Sequence, residues 1–539
     1  MTKNWRVNLI FILVIIFSAA IIGRLIFLQV LKGDFYKALS QGLHNPFNEV
    51  QGERGEIFLN NEKDLAINVN LPLVFAVPNE IKNQKETAKA LSEILNLDEN
   101  FILEKLQNES SYFLIKRKLS QKEIEDLKNL NPEGIFISEE KERYYPQENL
   151  ASQVIGFLGA EGKGQYGLEE FYDEILQSKE ELGGYQKGSD LILTIDYNIQ
   201  FEAEKLLEKA KENLGIEKGQ IIVIEPSSGK VMAMAVFPNF DSNQYEKYAK
   251  EGNLEVFKNG ATQELFEPGS VFKPIVMAAA LEEGKITPQT TYIDEGQVKI
   301  GGYTVFNYDN RIWGEKSMTE VLEKSINTGA VFAQSQLGET LFLKYIEKFG
   351  FFEPTGIDLR ETYSENQELR KGRKINLATA SFGQGITISP IQLAEAYGAI
   401  ANGGKLVKPY LVERIFEDGK EIQTEPKISQ SIISSKTIHQ LTAMLVNVVE
   451  NGFGKGAKVP GYYIAGKTGT AQVAEGGAYS PDKSIQTFAG FFPAFNPKFL
   501  ILVKLDNPKT RTAEYSAVPI FHDLAEYIIH YYQIPPDYE

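Results

Sequence analysis

Apolar and polar positions fall into three regimes along the chain. From Val7 to Gly23 the run VNLIFILVIIFSAAIIG carries no charge. At 1.5 Å per residue it covers roughly 26 Å of hydrocarbon, extended by the apolar turns around Leu25 to Leu31, so the pattern predicts one membrane helix. Lys3 and Arg6 precede it, which favours a cytoplasmic N-terminus and an exported bulk. A signal peptide cleaved near Ser18-Ala19-Ala20 is the alternative pattern. Between about 32 and 187 the chain is rich in Glu, Lys and Asn. Short strand-like pieces (56–58, 73–77) there mix with helical ones (85–97, 121–130), an extended mixed domain. Glycines between Gly183 and Gly188 mark a joint. Beyond it, strand patterns (191–195, 220–225, 230–236, 499–505) alternate with long helical ones (273–283, 389–402). This predicts an α+β fold with helices packed on a mostly antiparallel sheet. The expected division is therefore 1–31 for leader and transmembrane anchor, 32–187 for the mixed domain and 188–539 for the last domain.

Composition narrows the chemistry. The 539 residues are 43% hydrophobic and 24% charged, an ordinary globular balance. Acidic side chains (72) outnumber Lys plus Arg (56), a net −16 that argues against nucleic acid as a partner. There is no Cys, which removes thiol nucleophiles and Cys-built metal sites, and the His residues (His44, His439, His522, His530) have no metal-like spacing. Neither a cofactor nor a metal is expected. Gly162 to Gly167 satisfies G-x-G-x-x-G, but no βαβ pattern surrounds it, so it reads as a turn. Asn108-Glu109-Ser110 is a formal glycosylation triplet and carries little weight.

Three islands carry the chemistry. In Glu267-Pro268-Gly269-Ser270-Val271-Phe272-Lys273-Pro274, turn residues lead into a helix. Spacing of three places Ser270 and Lys273 on one helical face, and Pro274 is tolerated only in a first turn, so Ser270 is expected at a helix N-terminus. A desolvated Lys there can take the hydroxyl proton. The second island, Ser325-Ile326-Asn327, presents a hydroxyl and an amide from a loop. In the third, Lys467-Thr468-Gly469-Thr470, period two puts both threonines on one side of a strand. Gly469, lacking Cβ, lets another backbone lie against it, and an extended peptide can add there as a further strand. S-x-x-K, S-x-N and K-T-G in this order form the set known in penicillin-binding proteins and serine β-lactamases. The expected chemistry is acyl transfer by serine with lysine bases.

Taken with Arg54-Gly55, Gly167-Leu168-Glu169, Thr194-Ile195-Asp196, Phe382-Gly383-Gln384-Gly385, Ala401-Asn402-Gly403-Gly404 and Phe488-Ala489-Gly490-Phe491, the chain resembles the class B penicillin-binding proteins over nearly its whole length. Those are monofunctional peptidoglycan D,D-transpeptidases. The resemblance implies a retained single-pass anchor in the cell membrane, a pedestal over 32–187 and a transpeptidase domain after it. It implies that Ser270 attacks the penultimate D-Ala carbonyl of a donor stem peptide and that Lys273 takes its proton. Ser325 would relay a proton to the leaving amine, while Asn327 holds substrate and Lys273. Lys467 would keep the site electropositive. Thr468 and Thr470 would bind the donor carboxylate, with Gly469 between them, and the N–H groups of Ser270 and Thr470 would form the oxyanion hole. β-Lactams are implied as inhibitors. A membrane glycosyltransferase and other divisome or elongasome proteins are implied as partners, with the K-T-G-T-A-Q run leaning toward division.

The stretch after Arg54 lacks the Asp-Arg-x-Gly continuation of many relatives. A serine β-lactamase is the first alternative, yet no Glu between 328 and 466 is followed by Asn four residues later, as the class A type requires. A membrane-anchored β-lactam sensor or scaffold is the second.

Overall fold

The computed structural model describes residues 5–26, 53–107, 112–181, 184–475 and 478–539. The leader before Trp5 and the triplet at Asn108 lie outside the described residues. The apolar run forms a helix, α1 (Trp5–Ile26), and between Ile12 and Leu25 its large apolar side chains are exposed. Among the described residues no helix is long and apolar enough to cross a membrane.

The chain divides into two compact units. The smaller comprises Met1–Arg54, Ile67–Tyr144 and Ser178–Lys187. Within it β1 (Asp64–Ala76), from Ile67 onward, is followed by α2 (Gln84–Leu95), α3 (Glu99–Leu106), β2 (Phe113–Arg117), α4 (Gln121–Leu130) and β3 (Ile135–Tyr144). β1 pairs antiparallel with both other strands, from Ile67↔Tyr144 to Ala76↔Ile135 and from Leu73↔Arg117 to Ala76↔Phe113. Alternation decides which face is covered: Val74, Ala76 and Ile115 pack with Leu91, Ile102 and Leu127 of the helices, whereas Leu73, Phe75 and Leu114 form a small cluster on the other face. α4 opens with a capping box, Ser120 and Glu123 exchanging side-chain and backbone bonds.

The larger unit comprises Gly55–Ala66, Tyr145–Gln177 and Gly188–Glu539. Its elements are β4 (Asp190–Leu193), α5 (Tyr197–Leu214), β5 (Lys218–Ile224), β6 (Val231–Phe237), α6 (Lys273–Glu282), α7 (Met318–Glu323), α8 (Asn327–Leu337), α9 (Pro390–Ala401), β7 (Val412–Glu417), α10 (Ser435–Asn451), β8 (Ala465–Glu475), β9 (Ala478–Phe492), β10 (Phe499–Asp506) and α11 (Ala517–Tyr531). The central sheet runs β6–β5–β10–β9–β8 and is antiparallel throughout. Ile221, Val223, Ile501 and Val503 point to α5 and α11, whereas Ile222, Ile224, Leu500 and Leu502 point to the side of α6, α9 and α10. Both faces are covered, which is why these strands read as continuous apolar runs instead of alternating ones.

Helix α6 is buried on every side from Lys273 to Leu281. A helix with no polar face belongs inside a protein, and here it places the lysine at its first residue among apolar neighbours. The glycines of 162–167 lie in and just after a short hairpin (Phe157–Leu158 with Gly164–Gln165) instead of a nucleotide loop. A Cβ on Gly164 would fall 1.7 Å from Glu169 O, so close backbone contact explains that glycine.

Asp358, 8% exposed, ties the larger unit together. Its carboxylate accepts from Leu411 N at 2.8 Å, Val412 N at 2.9 Å and the Tyr172 hydroxyl at 3.2 Å. Burial raises its pKa, opposed by those donors. Asp358→Ala strands two buried N–H groups and is expected to cost about 2–4 kcal/mol, measured as a lowered urea midpoint.

Candidate active site

Ser270 sits in a 3-10 turn, Gly269–Phe272, that runs directly into α6 with Pro274 in its first turn. The α-helix therefore starts at Lys273, and Ser270 belongs to the tighter turn ahead of it. Gly269 has φ +63, and a Cβ there would lie 3.1 Å from the Ala471 Cβ of β8. Its N–H donates to Gly383 O at 2.9 Å, and the Tyr397 hydroxyl, fully buried on α9, donates to Val271 O at 2.7 Å. Glu267 accepts from Gly385 N at 2.9 Å and from the Tyr479 hydroxyl at 3.0 Å. The turn that carries Ser270 is thus held from four sides, while Ser270 itself is half-buried.

Gly469 shows what its missing side chain is for. A Cβ there would meet Val271 Cγ1 at 2.9 Å and Pro268 O at 3.0 Å. The backbone lying against β8 is the chain's own serine turn, which brings the third island beside the first.

Ser325 bends the chain between α7 and α8 with φ +55, a left-handed conformation that costs a residue with a side chain about 1–3 kcal/mol. The bend is anchored on both sides. α7 carries a capping box, Ser317 with Glu320, and Ile326 N donates to Val321 O at 2.9 Å. Beyond it the Thr328 hydroxyl donates to Asp294 at 2.6 Å. Asp294, 1% exposed, also accepts from Trp313 N at 2.8 Å and the Asn307 amide at 2.9 Å. Neither Asp294 nor Tyr397 stands out in the sequence. Their roles come from distant partners, and an isolated Asp or Tyr gives no local signal.

The four polar groups of the islands converge. Lys273 Nζ donates to Ser325 O at 2.6 Å, to Asn327 Oδ1 at 2.8 Å and to Ser325 Oγ at 3.3 Å. Lys467 Nζ donates to Ser325 Oγ at 2.9 Å and to Thr468 O at 2.9 Å. Asn327 turns its amide nitrogen to Phe306 O at 3.1 Å, which leaves its oxygen to the lysine. Thr470 Oγ accepts from Ala513 N at 3.2 Å. Both lysines are 0% exposed, and none of the ion pairs among the described residues includes either. Burial drives the Lys273 pKa well below its ordinary value, with repulsion from Lys467 adding to it; burial alone lowers Lys467 to about 7. Two amines that share a dry site without a carboxylate hold protons weakly, so a neutral amine is available near neutral pH.

Residues 219–526 match the penicillin binding protein transpeptidase domain, and 49–189 match the penicillin-binding protein dimerisation domain. The chain is 32% identical to stage V sporulation protein D of Bacillus subtilis, over 94% of this chain and 82% of that protein. It is 30% identical to the peptidoglycan D,D-transpeptidase FtsI homolog of Mesostigma viride, over 98% and 96% of the two chains. The crystal structure of penicillin binding protein 3 from Mycobacterium tuberculosis complexed with aztreonam superposes with TM-score 0.72 at 26% identity, covering 90% of this chain and 97% of that one. The chain belongs to the class B penicillin-binding proteins.

Two outcomes follow from this geometry. Gly383 has φ +78, and a Cβ there would lie 2.1 Å from Gly269 O, so Gly383→Ala is expected to lose more than about 2 kcal/mol and to displace the serine turn, read as a lower melting temperature. Lys467 binds its proton less tightly folded than unfolded, so the unfolded chain holds more protons between about 7 and 10.5. Stability from this group is fully present above that window and is lost as pH falls through it, by up to about 1.4 kcal/mol per pH unit. Lys467→Met should flatten that part of the stability curve in denaturant titrations at successive pH values.

Proposed function

We propose that this protein is a peptidoglycan D,D-transpeptidase that works through an ester on Ser270. The observation that carries the reading is the convergence of Lys273, Ser325, Asn327 and Lys467 beside the serine turn, with both lysines desolvated. A neutral Lys273 has two N–H groups, and Ser325 O and Asn327 Oδ1 take them. Its lone pair is then left for a hydroxyl. Lys273 removes the proton as Ser270 Oγ attacks the penultimate D-Ala carbonyl, and the N–H groups of Ser270 and Thr470 stabilise the oxyanion by about 3 kcal/mol per donor. Ser325, whose Oγ lies 3.3 Å from Lys273 Nζ and accepts from Lys467, relays the proton that Lys273 took from Ser270 to the leaving D-Ala amine, and the C–N bond breaks. Thr468 and Thr470 hold the donor's terminal carboxylate beside Lys467, with Gly469 keeping the strand close. The amine of a second stem then attacks the ester carbon. A C–N bond forms, the C–Oγ bond breaks, and the amine's proton returns through Lys273 to Ser270.

Relatives support the substrate. Several are named peptidoglycan D,D-transpeptidases, and the mycobacterial structures hold aztreonam or ampicillin, which supports β-lactams as donor mimics that stay attached. The finer reading assigns 1–31 as a retained membrane anchor built on α1, 32–187 as pedestal and 188–539 as the transpeptidase domain, with the bulk outside the cell membrane. The names FtsI homolog and stage V sporulation protein D favour a role in division or sporulation septa, with a membrane glycosyltransferase supplying the glycan.

Fluorescent penicillin on the purified full chain tests the assignment. Stable labelling is expected, absent in Ser270→Ala and reduced by at least about a hundredfold in Lys273→Ala. Rapid drug turnover would mean a β-lactamase, and no labelling a scaffold. The acylation rate should rise with pH as Lys273 deprotonates, at a pH far below the ordinary lysine value, and fall again as Lys467 loses its proton near about 7. Lys467→Arg should remove the alkaline decline.

A further inference from the structure

Crosslinking needs two peptides at one serine, and the arrangement above places only the donor. The serine turn is wedged between two segments: Ala471 Cβ of β8 lies 3.1 Å from where a Gly269 Cβ would stand, and Gly383 abuts the Gly269 backbone. The donor's threonines are on the β8 side. On the other side the chain at 265–269 pairs with 383–388, through Phe266 with Ile388 and Gly269 N with Gly383 O.

There a groove of about 590 Å³ opens, lined by Leu265, Tyr363, Glu365, Glu368, Gly385 and Thr387 among others. Its base is built. Asn366, 9% exposed, accepts from Thr387 N at 2.9 Å and donates to Thr387 O at 3.0 Å and Ser364 O at 3.1 Å. Leu265 and Tyr363 stand 38% and 44% exposed on its wall, apolar surface ready to be covered. The groove adjoins the segment leading into the serine turn: it includes Gly385, whose N–H is bonded to Glu267, three residues before Ser270.

The lining includes no Lys or Arg. Glu368 is paired with Lys371, whereas the Glu365 carboxylate takes the Gln367 amide at 3.2 Å. A groove of this volume accommodates a few residues of extended peptide. Peptide-sized space, apolar wall and a carboxylate free of any ammonium match a peptide that carries a primary ammonium group.

Resting on the transpeptidase reading, we infer that the groove beside Gly385 is the acceptor subsite, taking a stem peptide whose side-chain amine resolves the ester on Ser270. Leu265 and Tyr363 cover the peptide, and Glu365 attracts the ammonium on its way in. The amine then loses that proton before its lone pair attacks the ester carbon.

The test uses the full chain, an acyl-D-Ala thioester as donor, and tripeptide stems ending in lysine or diaminopimelate as acceptors. Leu265→Trp fills the groove, Glu365→Lys reverses its charge and Glu365→Gln removes it. The concentration of acceptor giving half-maximal amide product should rise at least about tenfold in the first two and by a smaller factor in the third. Labelling by fluorescent penicillin should stay within about twofold of wild type in all three, which also shows that they fold. Wild-type acceptor dependence in Leu265→Trp and Glu365→Lys would overturn the subsite, as would a wild-type chain that labels with penicillin yet gives no amide with either stem. A wild-type chain that fails to label would instead overturn the transpeptidase reading.

Discussion

Desolvation of Lys273 is the constraint on which the rest of the larger unit turns. A lysine at the first residue of a helix buried from end to end cannot keep its proton as a surface lysine does, and none of the ion pairs in the described residues compensates it. Hydrogen bonds to Ser325 O and Asn327 Oδ1 satisfy the amine's donors without supplying a counter-charge. The fold therefore maintains a base where water would otherwise have made an acid. Burial of both faces of the central sheet serves the same end, because α6 stays dry only while α8 and α10 enclose it. The polar cost is concentrated in one place and offset by a large apolar core.

The second lysine turns that base into a graded device. Lys467 reaches the same Ser325 hydroxyl from the edge strand, so one oxygen accepts from two amines of low proton affinity. Such an oxygen can pass a proton in either direction, as the proposed acylation of Ser270 and aminolysis of its ester would both require. Strain fits the same picture. Ser325 is held at positive φ by the capping box of α7 before it and the Asp294 cluster after it, so its hydroxyl does not depend on substrate for its position.

Much of this arrangement is legible in the sequence because its parts are local. The S-x-x-K spacing, Pro274 and the alternation around Gly469 each follow from the geometry of a single turn or strand. The element pattern holds equally well where periodicity is strong: 121–130 is the observed α4, and 389–402 is α9 with Ser389 as its cap. The strand expected at 73–77 is the end of a much longer one, because the polar Asn68 and Asn70 and the proline at 72 hide the pattern of Asp64–Ala76. What sequence does not reveal is support from afar. Asp294 and Tyr397 act through partners tens of residues or more away, and nothing beside them in the chain marks them out. Which neighbour fills the space beside Gly469 is likewise a tertiary fact, and it is the serine turn.

The make-up of the larger unit bears on how the gene can be dissected. Residues Tyr145–Gln177 are translated before the glycine joint yet belong to the body that follows it, where Leu168 and Leu176 are fully enclosed and Tyr172 bonds Asp358. A fragment cut at the joint, the boundary that composition suggests, would leave a raw apolar wound and an acid short of one donor. Insoluble expression of such a half would report on where the scissors fell and not on any weakness of the enzyme.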